Sequence, residues 1–424
     1  MTDDLPAEAQ ALSGHASKPR LTILIGADTF WPEINGAASF VARLAAGLAE
    51  RGHDVHVSAP SYSNRVLGPQ DEVHEGQHMT VHRIYSWRWY PHPWLRVMLP
   101  WRLRRNSARI LDLVRPDVVH FQSHLLIGRG MTYAGARRGI RLIGTNHFMP
   151  ENLLAYTFIL PRFLQAWAIG LAWKDADRIF RRAERVTTPT LKAAEYLEAN
   201  TSVRGVLAIS CGIDAHNYTA NMAPRTDNLI VFLGRVVEEK QIDKLIRAFA
   251  LLDPNLNARL EIVGGGDLES RLKLLAASLG LQTRVKFAGY VEEDYLRRAL
   301  TRATVFSMPS VAELQSISTM EAMASGLPIV AANAMALPHL VHDGENGFLF
   351  EPGNITQLAD RLTRILTMPH EQLLAFKRES LRIVASHDIQ RTLDTFESLY
   401  RGEPVWEAPA AAPGASRHVD PVER

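Results

Sequence analysis

The chain has 424 residues, 46% of them apolar and 22% charged, with 47 Lys and Arg against 45 Asp and Glu. That length predicts two or three domains, and so ordinary a composition excludes a disordered chain, a collagen-like fibre and a small disulfide scaffold. A net charge of +2 excludes the strongly basic footprint of a nucleic-acid-binding protein. The single cysteine, Cys211, allows neither an internal disulfide nor a cysteine-based metal cluster, which fits a reducing compartment. The opening Met1-Thr2-Asp3-Asp4 lacks the basic and apolar regions of a secretory signal, so a cytoplasmic protein is expected.

Residues 1–20, polar and rich in Ala, Ser and Pro, read as a disordered tail, as do residues 403–424. The first apolar run of strand length is 21–26. It leads into 39–51, where Phe40, Leu44 and Leu48 recur at four-residue spacing and predict an amphipathic helix. Runs at 55–59, 118–121, 142–145, 185–188 and 206–210 continue the strand series, with helical stretches between most of them. A polar linker with Gly212 and Pro224 occupies 211–228. The pattern then restarts at 229–233, and strands at 260–263, 285–288, 304–308 and 328–332 alternate with helices at 241–252, 268–279, 292–302 and 315–325. Helical patterns at 354–366, 370–385 and 388–401 follow. Such alternation predicts parallel sheets covered by helices on both faces. Two series predict two doubly wound α/β domains, 21–210 and 211–385, with a helix at 386–402 packing back on the first. Ligands of such sheets bind beyond the carboxyl ends of the strands, so the expected site is the cleft between the domains.

The densest motif runs from Pro309 to Pro328. Glu313 lies in a loop after a strand, Ser316 and Ser318 are suitable helix caps, and Gly326 is a suitable stop. A helix start facing a cleft offers free N–H groups and partial positive charge to a phosphate. Glu321 lies inside the helix, and Met320, Met323 and Ala324 beside it predict burial. Gly234-Arg235 and Lys240 follow the first strand of the second half. Gly36, between the first strand and first helix, permits close backbone approach. Histidines follow two strands, His120 and His124 after one and His147 after the next, the last within Asn146-His147-Phe148. Asp175-Ala176-Asp177 lies inside a helical run and reads as a solvated face. No Walker A loop, H-E-x-x-H or G-x-S-x-G motif is present.

The pair Glu313 and Glu321, with the segment 321–331 after it, resembles the E-x7-E signature of the retaining glycosyltransferases of family 4, whose fold is GT-B: two Rossmann-like domains facing across a cleft. The resemblance spans roughly 20–400 and is most specific at 309–331. It implies transfer of a hexose from a nucleotide-sugar, of the UDP-glucose or GDP-mannose type, with no metal or other cofactor. Glu313 is then close to the donor sugar, Glu321 binds the ribose, and Arg235 and Lys240 bind the diphosphate. Gly36, Gly234, Gln315, Ser316 and Ile317 complete the phosphate site. Gly265 and Asp267, in a glycine-rich turn, and Tyr290 and Val291 hold the nucleobase side. The family's usual E-G-F-G opening is replaced here by Glu313-Leu314-Gln315-Ser316, and Ala37 stands where a second glycine is usual. A sugar-contacting catalytic histidine follows the fourth strand. An offset leaves His120 and His124 both open, with His124 favoured because His120 reads as part of the strand itself. His147, with Asn146 and Phe148, falls on the acceptor side. Asn146-His147-Phe148 and the apolar stretch 153–173 after it resemble the diacylglycerol glycosyltransferases of that family, which implies a membrane lipid acceptor. The rival readings are a non-catalytic sugar-nucleotide or lipid-binding protein on the same scaffold and a sugar-nucleotide epimerase.

One anomaly stands apart from these motifs. No acidic residue lies between Glu75 and Asp112, while Arg83, Arg88, Arg96, Arg102, Arg104, Arg105 and Arg109 all do, among Tyr85, Trp87, Trp89, Trp94 and Trp101. Segment 81–110 therefore reads either as an interfacial surface that attaches the protein to the inner face of a membrane or as a helix and loop packed on its own domain, with Arg stems covering apolar surface.

Overall fold

The structure, a computed structural model, describes residues 18–33, 35–88, 96–150 and 162–405. Most of both expected tails, Trp89, Trp94 and the first part of the apolar stretch 153–173 lie outside the described residues.

The first half carries β1 (Thr22–Gly26), β2 (Asp54–Pro60), β3 (Gly68–His74), β4 (Gln77–Ile84), β5 (Trp87–Arg88), β6 (Arg96–Val97), β7 (Val118–Phe121), β8 (Arg141–Thr145), β9 (Arg185–Thr188) and β10 (Leu207–Ala208). Eight of these form one sheet in the order β10-β9-β8-β7-β1-β2-β4-β3, parallel except for the β3–β4 hairpin. The second half carries β11 (Leu229–Leu233), β12 (Arg259–Val263), β13 (Val285–Gly289), β14 (Val305–Met308), β15 (Ile329–Ala332) and β16 (Gly347–Phe350). They form a wholly parallel sheet in the order β13-β12-β11-β14-β15-β16. Every residue of β11 is buried, as a central strand covered on both faces requires. In each sheet the first strand has neighbours reached by opposite crossovers, which creates a switch point where ligands bind. The loop that begins at residue 27 leaves β1 at one such point, and loops 234–241 and 309–316 leave β11 and β14 at the other.

The β3–β4 hairpin was not expected from the pattern. Its outer strand, Gly68-Pro69-Gln70-Asp71-Glu72-Val73-His74, has no apolar face, because it is an edge strand alternating between half-buried and exposed. Its turn has Glu75 and Gly76 both left-handed, at φ 48° and 77°, the conformation that matches hairpin twist.

The chain crosses between the domains at 211–213 and again at 386–388, where Ile213 and Asp388 pair and the Ile213 N–H meets the His387 carbonyl at 2.8 Å. Helix Ile389–Arg401 then lies on the first domain. Phe396 packs on Phe40 and His120, and Leu393 sits so close to Gly47 that a Cβ there would come within 2.5 Å of it.

Segment 81–110 divides into two parts. Arg83 is fully buried, donates to both Glu72 oxygens at 2.7 and 2.6 Å and to the Pro60 carbonyl, and lies over the rings of Phe30 and Tyr62. Arg96 pairs with Glu33 at 3.1 Å. Arg83 belongs to the interior, because a buried cation must keep a partner, and Arg96 is half-buried and paired. Helix Pro100–Val114, by contrast, leaves Trp101, Arg102, Arg104, Arg105 and Arg109 exposed. The Asp175-Ala176-Asp177 reading also changes: both carboxylates are half-buried and engaged, Asp175 with Arg129 on a neighbouring helix and Asp177 with the Ser202 N–H at 2.7 Å, in the turn after another. No helix among the described residues is long and apolar enough to cross a membrane.

Candidate active site

Three loops of the second domain are stitched together at the carboxyl ends of β11, β12 and β13. Gly234 donates to the Val263 carbonyl, Val236 to that of Gly265, and Gly264 to that of Gly289, at 3.0, 2.9 and 2.8 Å. Gly264, at φ 117°, lies so near the Gly234 carbonyl that a Cβ would come within 2.1 Å of it, so only glycine fits. A Cβ on Gly265 would come within 2.6 Å of the Tyr290 ring, which is itself half exposed. Asp267 is exposed at the start of the following helix, and Val291 is half-buried against the domain core.

Arg235 pairs with Glu239 at 2.8 Å, and Lys240 pairs with Glu313. The Lys240–Glu313 pair is 13% and 10% exposed, so this is a desolvated ion pair rather than a surface one. Burial pushes the Glu313 carboxyl up, but Lys240, a Ser310 hydrogen bond and the nearby charge of Arg235 outweigh it and hold the carboxyl below its ordinary range. Beyond Glu313, helix Ile317–Ala324 starts at Ser316, a left-handed residue at φ 73° whose hydroxyl meets Thr319 at 2.8 Å and caps no backbone N–H. The first N–H groups of this helix are therefore available to an anion. Gln315 is buried; its amide donates to Ser210 at 2.6 Å and accepts the Cys211 N–H at 2.8 Å, tying the loop to the crossover between domains.

The first domain closes over this loop. Helix Gly36–Glu50 is capped by Asn35, whose Oδ1 accepts the Ala38 N–H at 3.0 Å. A Cβ on Gly36 would lie 3.6 Å from the Ile317 side chain, so two helix starts face one another across the cleft. Thr190 donates to the Leu314 carbonyl at 2.9 Å, and Arg43 Nη2 donates to Glu321 Oε1 at 3.1 Å.

His120 is the third residue of β7. Its Nδ1 is 2.6 Å from the Tyr400 hydroxyl and its Nε2 is 2.6 Å from Thr145 Oγ1, so it clamps the last helix to the first domain. His124 lies against Phe148 and Phe180, with Nδ1 buried and unpartnered among the described residues. His147 sits beside Phe40 and meets Gln122 Oε1 at 2.9 Å. Burial pushes His120 down to about 3 and His124 and His147 down to about 4, so all three are neutral near pH 7. Asn146 is buried and accepts the Phe148 N–H at 3.3 Å.

The Glycosyltransferase Family 4 model matches residues 34–217, and the Glycosyl transferases group 1 model matches residues 219–381. An uncharacterized glycosyltransferase of Methanocaldococcus jannaschii is 35% identical over 367 residues, 79% of this chain and 86% of that protein. The chain belongs to glycosyltransferase family 4. A GDP-mannose-dependent alpha-mannosyltransferase of Mycolicibacterium smegmatis is 28% identical, over 78% of this chain and 84% of its own length. An alpha-monoglucosyldiacylglycerol synthase of Acholeplasma laidlawii is 25% identical, over 78% and 85%. Among solved structures, a sucrose-phosphate synthase from Thermosynechococcus elongatus superposes with a TM-score of 0.75 at 18% identity, over 89% of this chain and 98% of that one. Anabaena HepE in complex with UDP-glucose gives 0.69 at 17% identity, over 90% and 99%. The fold is GT-B, and the protein is a hexosyltransferase.

In this glycosyltransferase the expected donor residues of the second domain gather at the ends of β11 to β14. Glu321 is buried one turn into its helix, held by Arg43 rather than by Arg235 or Lys240. Arg43, Tyr218 and Gln122 were not singled out in the sequence. Arg43 is the one basic residue of a largely apolar helix, which by itself marks no site, and its partner lies 278 residues away. The buried Gln122, which bridges His120 and His147, follows β7 directly, and its position after a strand was its only signal.

Proposed function

We propose that this glycosyltransferase moves a hexose from a nucleotide-sugar to a hydroxyl of a membrane lipid with retention of anomeric configuration. The observation that carries the reading is the buried Lys240–Glu313 pair beside Arg235, at the switch point of the second sheet. As the bond between the sugar and the diphosphate breaks, negative charge gathers on the phosphate oxygens. Arg235, Lys240 and the open N–H groups at Ile317 stabilise it there, taking the part a metal plays elsewhere. Glu313 orients the sugar hydroxyls and Glu321 the ribose. Tyr290, over the glycine turn at 264–266, borders the base. The acceptor hydroxyl approaches from the first domain, past His124, Asn146, His147 and Phe148, and attacks on the face the diphosphate leaves, giving its proton to a phosphate oxygen. Contact between the two domains excludes water and limits donor hydrolysis.

The lipid acceptor is supported by the alpha-monoglucosyldiacylglycerol synthase among the relatives and by the exposed Trp101, Arg102, Arg104, Arg105 and Arg109, which suit peripheral attachment to an anionic bilayer on the cytoplasmic side. A UDP-sugar donor is supported by the HepE complex and a GDP-sugar donor by the mannosyltransferase. The test is product formation from UDP-glucose or GDP-mannose with diacylglycerol in anionic vesicles. Wild type yields a glycolipid, and Lys240→Ala lowers turnover about 100- to 1,000-fold. Donor binding without transfer to any of a broad panel of hydroxyl acceptors would overturn the reading in favour of a binding protein.

A further inference from the structure

Arg43 projects from helix Gly36–Glu50 of the first domain into the junction where Glu321, Tyr218 and the crossover residue Cys211 meet. Its side chain is 20% exposed and that of Glu321 is 11% exposed. Nη2 donates to Glu321 Oε1 at 3.1 Å, while Nη1 is buried and has no hydrogen-bond partner among the described residues. The Tyr218 hydroxyl hydrogen-bonds the same carboxylate, and burial with the Glu321 charge pushes its phenol up. A buried guanidinium nitrogen without an acceptor is costly, and native proteins rarely leave one unless something binds there. A carboxylate offers about four acceptor positions, so Arg43 and Tyr218 leave room on Glu321 for a further donor.

We propose that Arg43 completes the ribose pocket of the donor site from the opposite domain, fixing Glu321 through Nη2 and donating to a ribose hydroxyl oxygen through Nη1. This rests on the nucleotide-sugar reading above and deepens it. A carboxylate held by Arg43 and Tyr218 presents one fixed edge to the 2′ and 3′ hydroxyls, accepting from them while Nη1 donates back. Because Arg43 and Glu321 lie on different domains, a ribose that contacts both bridges the two domains. The nucleoside then favours the arrangement in which the cleft is closed, whereas a ligand with the diphosphate alone, held by Arg235 and Lys240, stays within the second domain.

The experiment is isothermal titration of UDP, GDP and inorganic pyrophosphate into wild type, Arg43→Ala and Arg43→Lys, with thermal unfolding as the folding control. For whichever nucleotide binds wild type, Arg43→Ala weakens affinity about ten- to a hundredfold, leaves pyrophosphate unchanged, and Arg43→Lys recovers part of the loss. The 2′,3′-dideoxy form of that nucleotide binds wild type weakly and loses nothing further in Arg43→Ala. Equal nucleotide affinity in wild type and Arg43→Ala overturns the ribose role alone. An equal loss for nucleotide and pyrophosphate also overturns it, since that is what a merely structural defect produces. Binding of neither UDP nor GDP by wild type overturns the donor reading itself and this inference with it.

Discussion

Replacing Lys240 with Met keeps most of the side chain's volume and removes the charge facing Glu313. With the two groups 13% and 10% exposed, the abandoned carboxylate cannot recover its hydration. Breaking a buried pair from one side costs about 3–5 kcal/mol. At about 2–4 °C per kcal/mol for a domain of this size, the second domain's transition falls by about 6–20 °C. The double variant K240M/E313Q no longer buries a lone charge, so its loss is smaller than the sum of the single losses by at least about 1 kcal/mol. The pH dependence follows the same logic. In wild type the Glu313 carboxyl is held below its ordinary range, so the pair's contribution is present above the unfolded carboxylate's value and is lost as pH falls through the lower folded one. Without Lys240, the largest influence holding it down, burial dominates and Glu313 takes up a proton at higher pH. The penalty of K240M therefore shrinks as the solution is acidified. Calorimetry of the four proteins at pH 7.5 and pH 5 measures all of this. An additive cycle, with K240M within about 0.5 kcal/mol of wild type, would refute the reasoning.

Gly47→Ala forces a methyl into Leu393 and lowers stability by about 1–3 kcal/mol, measured by denaturant unfolding. Tyr400→Phe leaves His120 Nδ1 buried without its hydroxyl partner and costs about 1–3 kcal/mol, with release of the last helix seen as faster amide exchange over 389–401. Gly265→Ala displaces the half-exposed Tyr290 ring, so it weakens nucleotide affinity in titration while barely moving the melting temperature. His120, His124 and His147 ionise in the unfolded chain near pH 6.5 but not in the fold until about pH 4 or below, so each favours unfolding as pH falls through that window. Each contributes up to about 1.4 kcal/mol per pH unit, and urea titrations at pH 7, 6 and 5 should record the decline.

The strands were legible where burial on both faces forces a continuous apolar run, as at β11 and β15. The edge hairpin β3–β4 was not, because an edge strand needs no apolar face. The loops proposed to hold the phosphate were legible because anion binding demands glycine, cations and a helix start at fixed offsets along the chain. Arg43 and Tyr218 were not, because each acquires its meaning only from Glu321, far away in sequence. Arg83 illustrates the same limit: its place in a basic run left a surface and a packed element both open, and the pairing of β4 with β3 and the contact with Glu72 make it interior. The crossover that ties Gln315 to Ser210 and Cys211 was equally invisible, since a buried amide can serve a ligand or a hinge and the chain alone does not distinguish them.

A crystal structure with bound nucleoside diphosphate tests the central proposal most directly. The account predicts phosphate oxygens within hydrogen-bond distance of the Arg235 guanidinium, the Lys240 ammonium and the Ile317 N–H, with Lys240 drawn partly away from Glu313. A diphosphate bound elsewhere, with the Lys240–Glu313 pair undisturbed, would contradict it.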